Sequence, residues 1–394
     1  MRKIVLGLLI VIIAGLLLTG AFSGGVLIGH FATRQSAPRS DLLDYELLNQ
    51  VLTLLNNKYY GEIPDESTLT YGAISGLLLT LDDPYTAFLE PKVARIMRED
   101  ATGQFEGIGV TVEQHENGYL EIIRVFPNQP AAQAGLLSGD LIISADGTDL
   151  TGLGLYDAIN LVRGPRDTQV RLEILRQGEG LVDPLVFTIT RARIEMPIVE
   201  YELLEGDIAY LRLTEFDATA TTRMKAALES LLNEMPAGLI LDLRDNPGGY
   251  LHEAFGVADL FLDKGIVLIQ RDSAGREQIW RSTDGEAGEY IPLVVLVNNA
   301  SASASELVAG ALQDRGRAVL IGEQTFGKGS VQQPHDFRDG SQLRVTTARW
   351  FTPNEQSIHG DGITPNIEVP HPADALPGED PQLQRAIEYL KENF

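Results

Sequence analysis

The chain has 394 residues, long enough for two or three domains and a sizeable core. Its formal net charge of -24 argues against binding nucleic acid or anionic lipid head groups through the bulk surface. It has no cysteine, which excludes disulfides, a thiol nucleophile, thiolate metal sites and a lipoprotein anchor, and leaves the redox compartment open.

Arg2 and Lys3 precede an uncharged, mostly apolar run from Ile4 to Gly29. As a helix rising about 1.5 Å per residue, this run outreaches the ~30 Å hydrocarbon core of a bilayer. It shows no polar face of the kind a soluble core helix carries. Residues 1–32 are therefore predicted to be an uncleaved signal anchor, a single-pass membrane helix that leaves the rest of the chain outside the cytoplasm. A cleaved signal peptide is the alternative, because Ala21-Phe22-Ser23 resembles a small-x-small cleavage site, and either reading exports the rest of the chain. Arg34 and Arg39 follow the span, so the charge asymmetry that sets orientation is shallow.

Thr33 to Ser40, with Pro38, has the composition of a tether. From Asp41 to about Met97 the pattern is helical: Leu47, Val51, Leu54 and Leu55 share one face, and Thr70 to Leu81 repeats the periodicity. Pro84 ends it. Residues 33–97 are thus a tether and an N-terminal helical region. From 98 to 193 short alternating runs take over: Gly109 to Val112, Leu120 to Val125, Leu141 to Ala145, Val170 to Leu175 and Leu185 to Ile189. One helix, Leu155 to Val162, interrupts this small β-rich module.

Residues 194–370 alternate strand and helix, which predicts a mainly parallel α/β layer. The strands are Ile208 to Leu213, Leu239 to Leu243, Leu293 to Val297 and Val319 to Ile321. The helices are Ala220 to Asn233, Leu251 to Leu262 and Ser303 to Gln313. Leu293 to Val297 is an unbroken apolar run, as a strand buried on both faces requires. Residues 371–394 form a proline-rich, acidic tail that ends in a short amphipathic helix, Leu383 to Leu390.

Two loops fall at carboxyl ends of these strands, where open α/β sheets bind ligands. Asn246-Pro247-Gly248-Gly249 offers backbone N–H groups with no side chain in the way. The run Ser301-Ala302-Ser303-Ala304-Ser305-Glu306 puts Ser303 at a helix start, where free N–H groups favour negative charge. Acyl transfer needs a nucleophilic hydroxyl beside donors aimed at the developing oxyanion. Each feature alone is commonly structural, the first a turn and the second an N-cap. Lys328 stands between Gly327 and Gly329, and a lysine made neutral by burial can serve as the serine's base. Gly322 to Lys328 also fits the first seven positions of a phosphate-binding loop. Gly329 stands where that motif needs Ser or Thr, and Val331 to Pro334 is a poor helix start, which excludes it.

Beyond the membrane run, the chain resembles the carboxyl-terminal processing peptidases. The resemblance rests on Leu241 to Gly249, on Ser301 to Glu306 with Gly310 to Asp314, and on Thr325 to Gln332. Asp245 stands where the family signature often has a second asparagine. The resemblance implies a ClpP/crotonase-like ββα core and an endopeptidase that works by a serine–lysine acyl-enzyme mechanism. It selects the middle serine, since the family separates nucleophile and lysine by twenty-five positions, as Ser303 and Lys328 are separated. It makes Gln332 the residue that orients the amine, and it gives the oxyanion hole to Ala304 with Gly249, or Gly248 one position away. It names the β-rich module a PDZ domain, with Gly107, Ile108, Gly109 and Val110, set before Pro130 to Leu136 and Gly139 to Ile142, binding the peptide carboxylate. Arg163 is its candidate regulatory residue, against the alternative of a solvated arginine at a turn.

The implied partners are protein or peptide substrates with apolar C-termini, the membrane, and a homodimer mate or adaptor protein. His252 is a competing base that reads better as a helix-surface residue. His335, His359 and His371 lack metal-ligand spacing, so neither a metal nor another cofactor is expected. The rival reading is a catalytically silent, membrane-tethered PDZ adaptor.

Overall fold

The computed structural model describes residues 43–115, 117–176, 184–371 and 379–394. The expected membrane span and tether lie outside the described residues. Among those described, no helix is long and apolar enough to cross a membrane. The described residues divide into two compact units, one ending at Leu69 and the other beginning at Thr70.

The first unit contains α1 (Tyr45–Lys58). Asp44 caps it by accepting the Leu47 N–H at 2.9 Å. Leu47, Val51, Leu54 and Leu55 are all exposed, so the helical periodicity is present without a buried face. A second helix, α2 (Glu66–Leu79), begins here and runs on into the second unit.

In the second unit β1 (Ala87–Leu89) leads to α3 (Pro91–Ala101), where Pro91 takes the first helical position that tolerates a missing N–H. The β-rich module follows: β2 (Gln104–Gly107), β3 (Val110–Gln114), β4 (Leu120–Val125), α4 (Pro130–Ala134), β5 (Leu141–Ala145), β6 (Thr148–Asp149), α5 (Leu155–Val162), β7 (Gln169–Leu175), β8 (Leu185–Thr190) and β9 (Ala192–Glu195). Its sheet runs β3-β4-β5-β7-β8, with β6 beside β5, so β3 is an edge strand. The ribbon β2–β9 pairs Gln104 with Glu195, and the chain enters and leaves the module side by side, as an inserted domain must.

The remainder is β10 (Val199–Leu204), β11 (Ile208–Leu213), α6 (Ala220–Asn233), β12 (Gly238–Asp242), α7 (Leu251–Asp259), β13 (Gly265–Asp272), β14 (Glu277–Ser282), β15 (Leu293–Val297), α8 (Ala304–Asp314), β16 (Val319–Gly322), β17 (Ser330–Asp336), β18 (Gln342–Phe351), β19 (Ile367–Glu368) and α9 (Pro381–Asn393). One sheet orders β10-β11-β12-β15-β16-β19, parallel from β11 onward with β10 antiparallel. Its central strands feed two cores. Leu239, Leu241, Leu293 and Val295 point toward the α6–α8 side, while Ile240, Val294 and Leu296 point toward α9 with Ala386 and Leu390. Every residue of β12 and β15 is buried, which is why neither strand alternates in sequence.

The sequence pattern did not suggest a second sheet, antiparallel β1-β18-β13-β14 with β17 on β18. Charged residues such as Arg271, Arg281 and Arg349 interrupt the apolar pattern of these strands. Pro334 sits within β17, which pairs on one side only, where a missing N–H is tolerated.

Candidate active site

The strand β12 ends on a buried carboxylate. Asp242 accepts the Tyr210 hydroxyl at 2.7 Å and a guanidinium N–H of Arg244 at 2.6 Å. Arg244 also reaches Asp380, the N-cap of α9, at 2.8 Å. Burial works against the Arg244 charge, but Asp242 and Asp380 overcome it and hold the guanidinium more firmly protonated than usual. Arg244 thus ties the C-terminal helix to the strand whose end carries the glycine turn.

The glycine turn and the serine loop are stitched together. Asn298 donates to the Asp245 carboxylate at 2.7 Å, and the Asp245 N–H donates back to the Asn298 side-chain oxygen at 3.0 Å. Asp245 keeps the turn by this exchange at φ 60°. Ser301 donates its hydroxyl to the Leu243 carbonyl, and Ser305 donates to the Asn246 carbonyl, both at 2.8 Å. Both serines are fully buried. Ser303 is only partly buried, so of the three hydroxyls it is the one with access to the crevice.

Ser303 has φ 55° and ψ -110°, a conformation that costs a non-glycine residue about 1–3 kcal/mol. The neighbouring glycine makes room for it. A Cβ on Gly248, at φ 102°, would fall 2.8 Å from both the Ala302 carbonyl oxygen and the Ser303 Cβ. A Cβ on Gly249, at φ 145°, would fall 2.2 Å from the Phe216 carbonyl oxygen. Phe216 fixes that turn by donating to the Gly248 carbonyl and accepting from the Tyr250 N–H. The Gly248 N–H donates to the Asn246 side-chain oxygen at 2.9 Å, so it is not free to meet an oxyanion. The N–H groups of Gly249 and Ala304 make no hydrogen bond among the described residues. Of the two glycines considered, Gly249 is the one with a donor to offer.

Glu306 joins the serine to the lysine. Its carboxylate is fully buried and accepts from the Ser303 N–H at 2.8 Å, the Lys328 N–H at 2.9 Å, and the Gly327 N–H and Thr325 hydroxyl at 2.6 Å each. Sequence reasoning gave Glu306 no role. The signal was there, because an acid three residues after a helix-start serine is the spacing of a capping box.

Lys328 leads into β17 and is partly buried, with its amine 5.3 Å from the centre of the Tyr85 ring. Burial, and then the nearby Arg344, lower its pKa, while Glu306 pulls the other way. Among the described residues no hydrogen bond joins this amine to Ser303 or to Gln332. The Gln332 amide nitrogen instead donates to the Ser330 hydroxyl at 2.8 Å and faces the Thr346 hydroxyl at 3.4 Å. His252 is exposed and pairs with Glu253 at 3.1 Å.

In the β-rich module a pocket of about 240 Å³ opens between β3 and α5. Val110 and Val112 line it from β3, Ile159 and Val162 from α5, with Ile108, Leu120 and Phe126 beneath. The Ile108 and Gly109 N–H groups at its end make no hydrogen bond among the described residues. Gly109 has φ 84°, and a Cβ there would fall 2.5 Å from Gln129. Arg163 is not a solvated turn residue. It bonds Asp100 at 2.7 Å, approaches Glu99 at 3.4 Å, and lies 4.1 Å above the Phe105 ring. Glu215 also lines the pocket, without a hydrogen-bond partner among the described residues, and burial followed by Asp100 and Asp217 raises its pKa to about 7.

Comparison with known families matches residues 207–369 to peptidase family S41, 121–176 to the PDZ domain, and 29–93 to the activating protease CtpB N-terminal domain. A carboxy-terminal-processing protease of Bartonella bacilliformis is 42% identical over 322 residues, 79% of this chain and 72% of that protein. The carboxy-terminal processing protease CtpA of Bacillus subtilis is 35% identical over 328 residues, 83% of this chain and 69% of that protein. A solved photosystem II D1 C-terminal processing protease aligns with TM-score 0.53 at 32% identity, covering 85% of this chain and 90% of that one. A solved S41 protease from Bacteroides fragilis shares the fold at TM-score 0.56 and 20% identity, covering 85% and 93%. The chain belongs to the carboxyl-terminal processing proteases of peptidase family S41, and is a serine-type peptidase with a PDZ domain.

Proposed function

We propose that this peptidase cuts proteins by a serine–lysine acyl-enzyme mechanism after its PDZ domain captures their C-termini. The Ser303 hydroxyl oxygen attacks the scissile carbonyl while the neutral Lys328 amine takes its proton. The Gly249 and Ala304 N–H groups receive the oxyanion, an arrangement whose single donors are typically worth about 10²–10³ in rate. Collapse breaks the C–N bond, and Lys328 returns the proton to the leaving amine. Water then hydrolyses the ester. Gln332 steers the amine through its amide oxygen, since its nitrogen is engaged elsewhere. The substrate's terminal carboxylate lies on the N–H groups of the Gly107 to Val110 turn, and its apolar side chain enters the pocket. Arg163, which joins the PDZ helix to α3, reports occupancy of that pocket.

The observation that carries this reading is the double grip of Glu306, one buried carboxylate accepting from the backbones of both Ser303 and Lys328. The test is cleavage of an unstructured protein with an apolar C-terminus by wild type, Ser303→Ala and Lys328→Ala. Both substitutions are expected to abolish cleavage with binding retained. Cleavage by Lys328→Ala would place the base elsewhere, and wild type that binds but never cuts would restore the adaptor reading.

A further inference from the structure

Arg344 on β18 is a partly buried cation without a carboxylate. Its guanidinium bonds the Gln342 side-chain oxygen at 3.1 Å and has no ion-pair partner among the described residues. Arg317, also partly buried, is different: it donates to the carbonyls of Phe261, Gly288 and Ile291. Leaving a cation unanswered away from bulk water is unfavourable, and in a chain with 55 acidic and 31 basic residues acids were plentiful.

The strand register puts Arg344 next to the Tyr85 segment, against whose ring the lysine amine packs. It stands opposite Ala87 on one side and Pro334 on the other. Two residues before Ala87, the Tyr85 ring receives the Lys328 amine. Two residues after Arg344, Thr346 stands opposite Gln332. Alternate residues of a strand share a face, so Arg344 lies on the face that carries the Thr346–Gln332 contact.

The other groups around Lys328 do not cancel this charge. Glu306 on α8 attracts the protonated amine, but its oxygens are already bound by four donors. Asp83 is engaged with the Tyr85 N–H and the Thr86 hydroxyl. The Tyr85 ring itself favours a cation. His359, whose backbone presses on Gly329, meets that ring edge-on at 6.0 Å. Two like charges in one half-dry site repel, and arginine does not give up its proton. The lysine is the group that yields, as in other enzymes where a cation activates a lysine.

We propose that Arg344 keeps the Lys328 amine in its neutral, proton-accepting form, acting through the lysine rather than on the substrate. This rests on the serine–lysine reading above. The test is the pH dependence of kcat/KM for the full chain as wild type, Arg344→Gln and Arg344→Lys, with Lys328→Ala alongside. Acylation of Ser303 by a fluorophosphonate probe follows the same limb without peptide binding. Arg344→Gln is expected to move the acid limb up by about one pH unit, an approximately tenfold loss on the limb that is regained at high pH. Arg344→Lys should restore the wild-type limb. An unmoved limb in Arg344→Gln, with Lys328→Ala inactive, overturns the proposal and leaves the mechanism standing. Activity in Lys328→Ala overturns the mechanism itself. An equal loss at every pH that Arg344→Lys fails to rescue assigns Arg344 to structure, and an effect confined to KM assigns it to substrate binding; either result overturns the proposal.

Discussion

Glu306 in the serine–lysine seam and Glu215 in the PDZ pocket both lie away from bulk water, but their surroundings differ. Glu306 is fully buried and accepts four hydrogen bonds, so protein donors replace the water it lost. Glu215 is only partly buried and accepts none among the described residues, with Asp100 and Asp217 nearby. The first arrangement makes a carboxylate into a rigid joint. The second makes it a proton-binding site near neutral pH. The contrast fits the work proposed for each region, since a catalytic seam has to hold its geometry while a peptide groove has to open and fill.

The largest effect expected from breaking this contrast is at Glu306. Glu306→Ala leaves the Ser303, Gly327 and Lys328 N–H groups and the Thr325 hydroxyl without their acceptor. A single stranded buried donor costs about 1–3 kcal/mol, so a loss of at least about 3 kcal/mol is expected in denaturant unfolding. Cleavage should fall more than ~100-fold. A variant that keeps both stability and turnover would show that the seam does not depend on this joint.

Glu215 should respond to pH. The folded chain holds its proton up to about pH 7, against an ordinary value of 4.5 in the unfolded chain. Between those values folding takes up a proton. The stability this site contributes is therefore full below about 4.5 and is lost as pH rises through about 7. Glu215→Gln is expected to leave stability unchanged at pH 4 and to raise it at pH 8, by no more than about 3 kcal/mol. Thermal melts at the two pH values check this, and equal shifts at both would remove Glu215 as a proton-binding site.

The smallest effect is expected at Arg163. Its ion pairs with Glu99 and Asp100 are partly exposed, so Arg163→Ala should cost less than about 1 kcal/mol of stability. If Arg163 reports pocket occupancy, stimulation of cleavage by a peptide with an apolar C-terminus should change a few-fold. Unchanged stimulation would leave Arg163 as a structural tie between α5 and α3.

The elements nearest the site were legible because their signals are local. The apolar runs of β12 and β15, the alternation of β4 and β7, and the helix that follows Ser303 lie close to where their patterns put them. The sheet of β13, β14, β17 and β18 was not legible, since its pairing brings Ala87 to Arg344 and Ser330 to Arg349 across long stretches of chain. Within the site, the spacing to Lys328 picked the middle of three alternating serines, and packing binds the other two, Ser301 and Ser305, to the opposite loop.

By itself the sequence determined the strands and helices of the parallel sheet and the glycine turn, because burial patterns and glycine's freedom of φ act over a few residues. It also supplied the spacing of Ser303, Lys328 and Gln332. Only the tertiary structure decided that Gly248 turns its N–H inward while Gly249 keeps one free, that Glu306 grips both reactive segments, and that Arg344 has no ion-pair partner among the described residues. Hydrogen-bond allocation and charge balance depend on which groups meet in space, and residues far apart in the chain meet only once the sheets have formed.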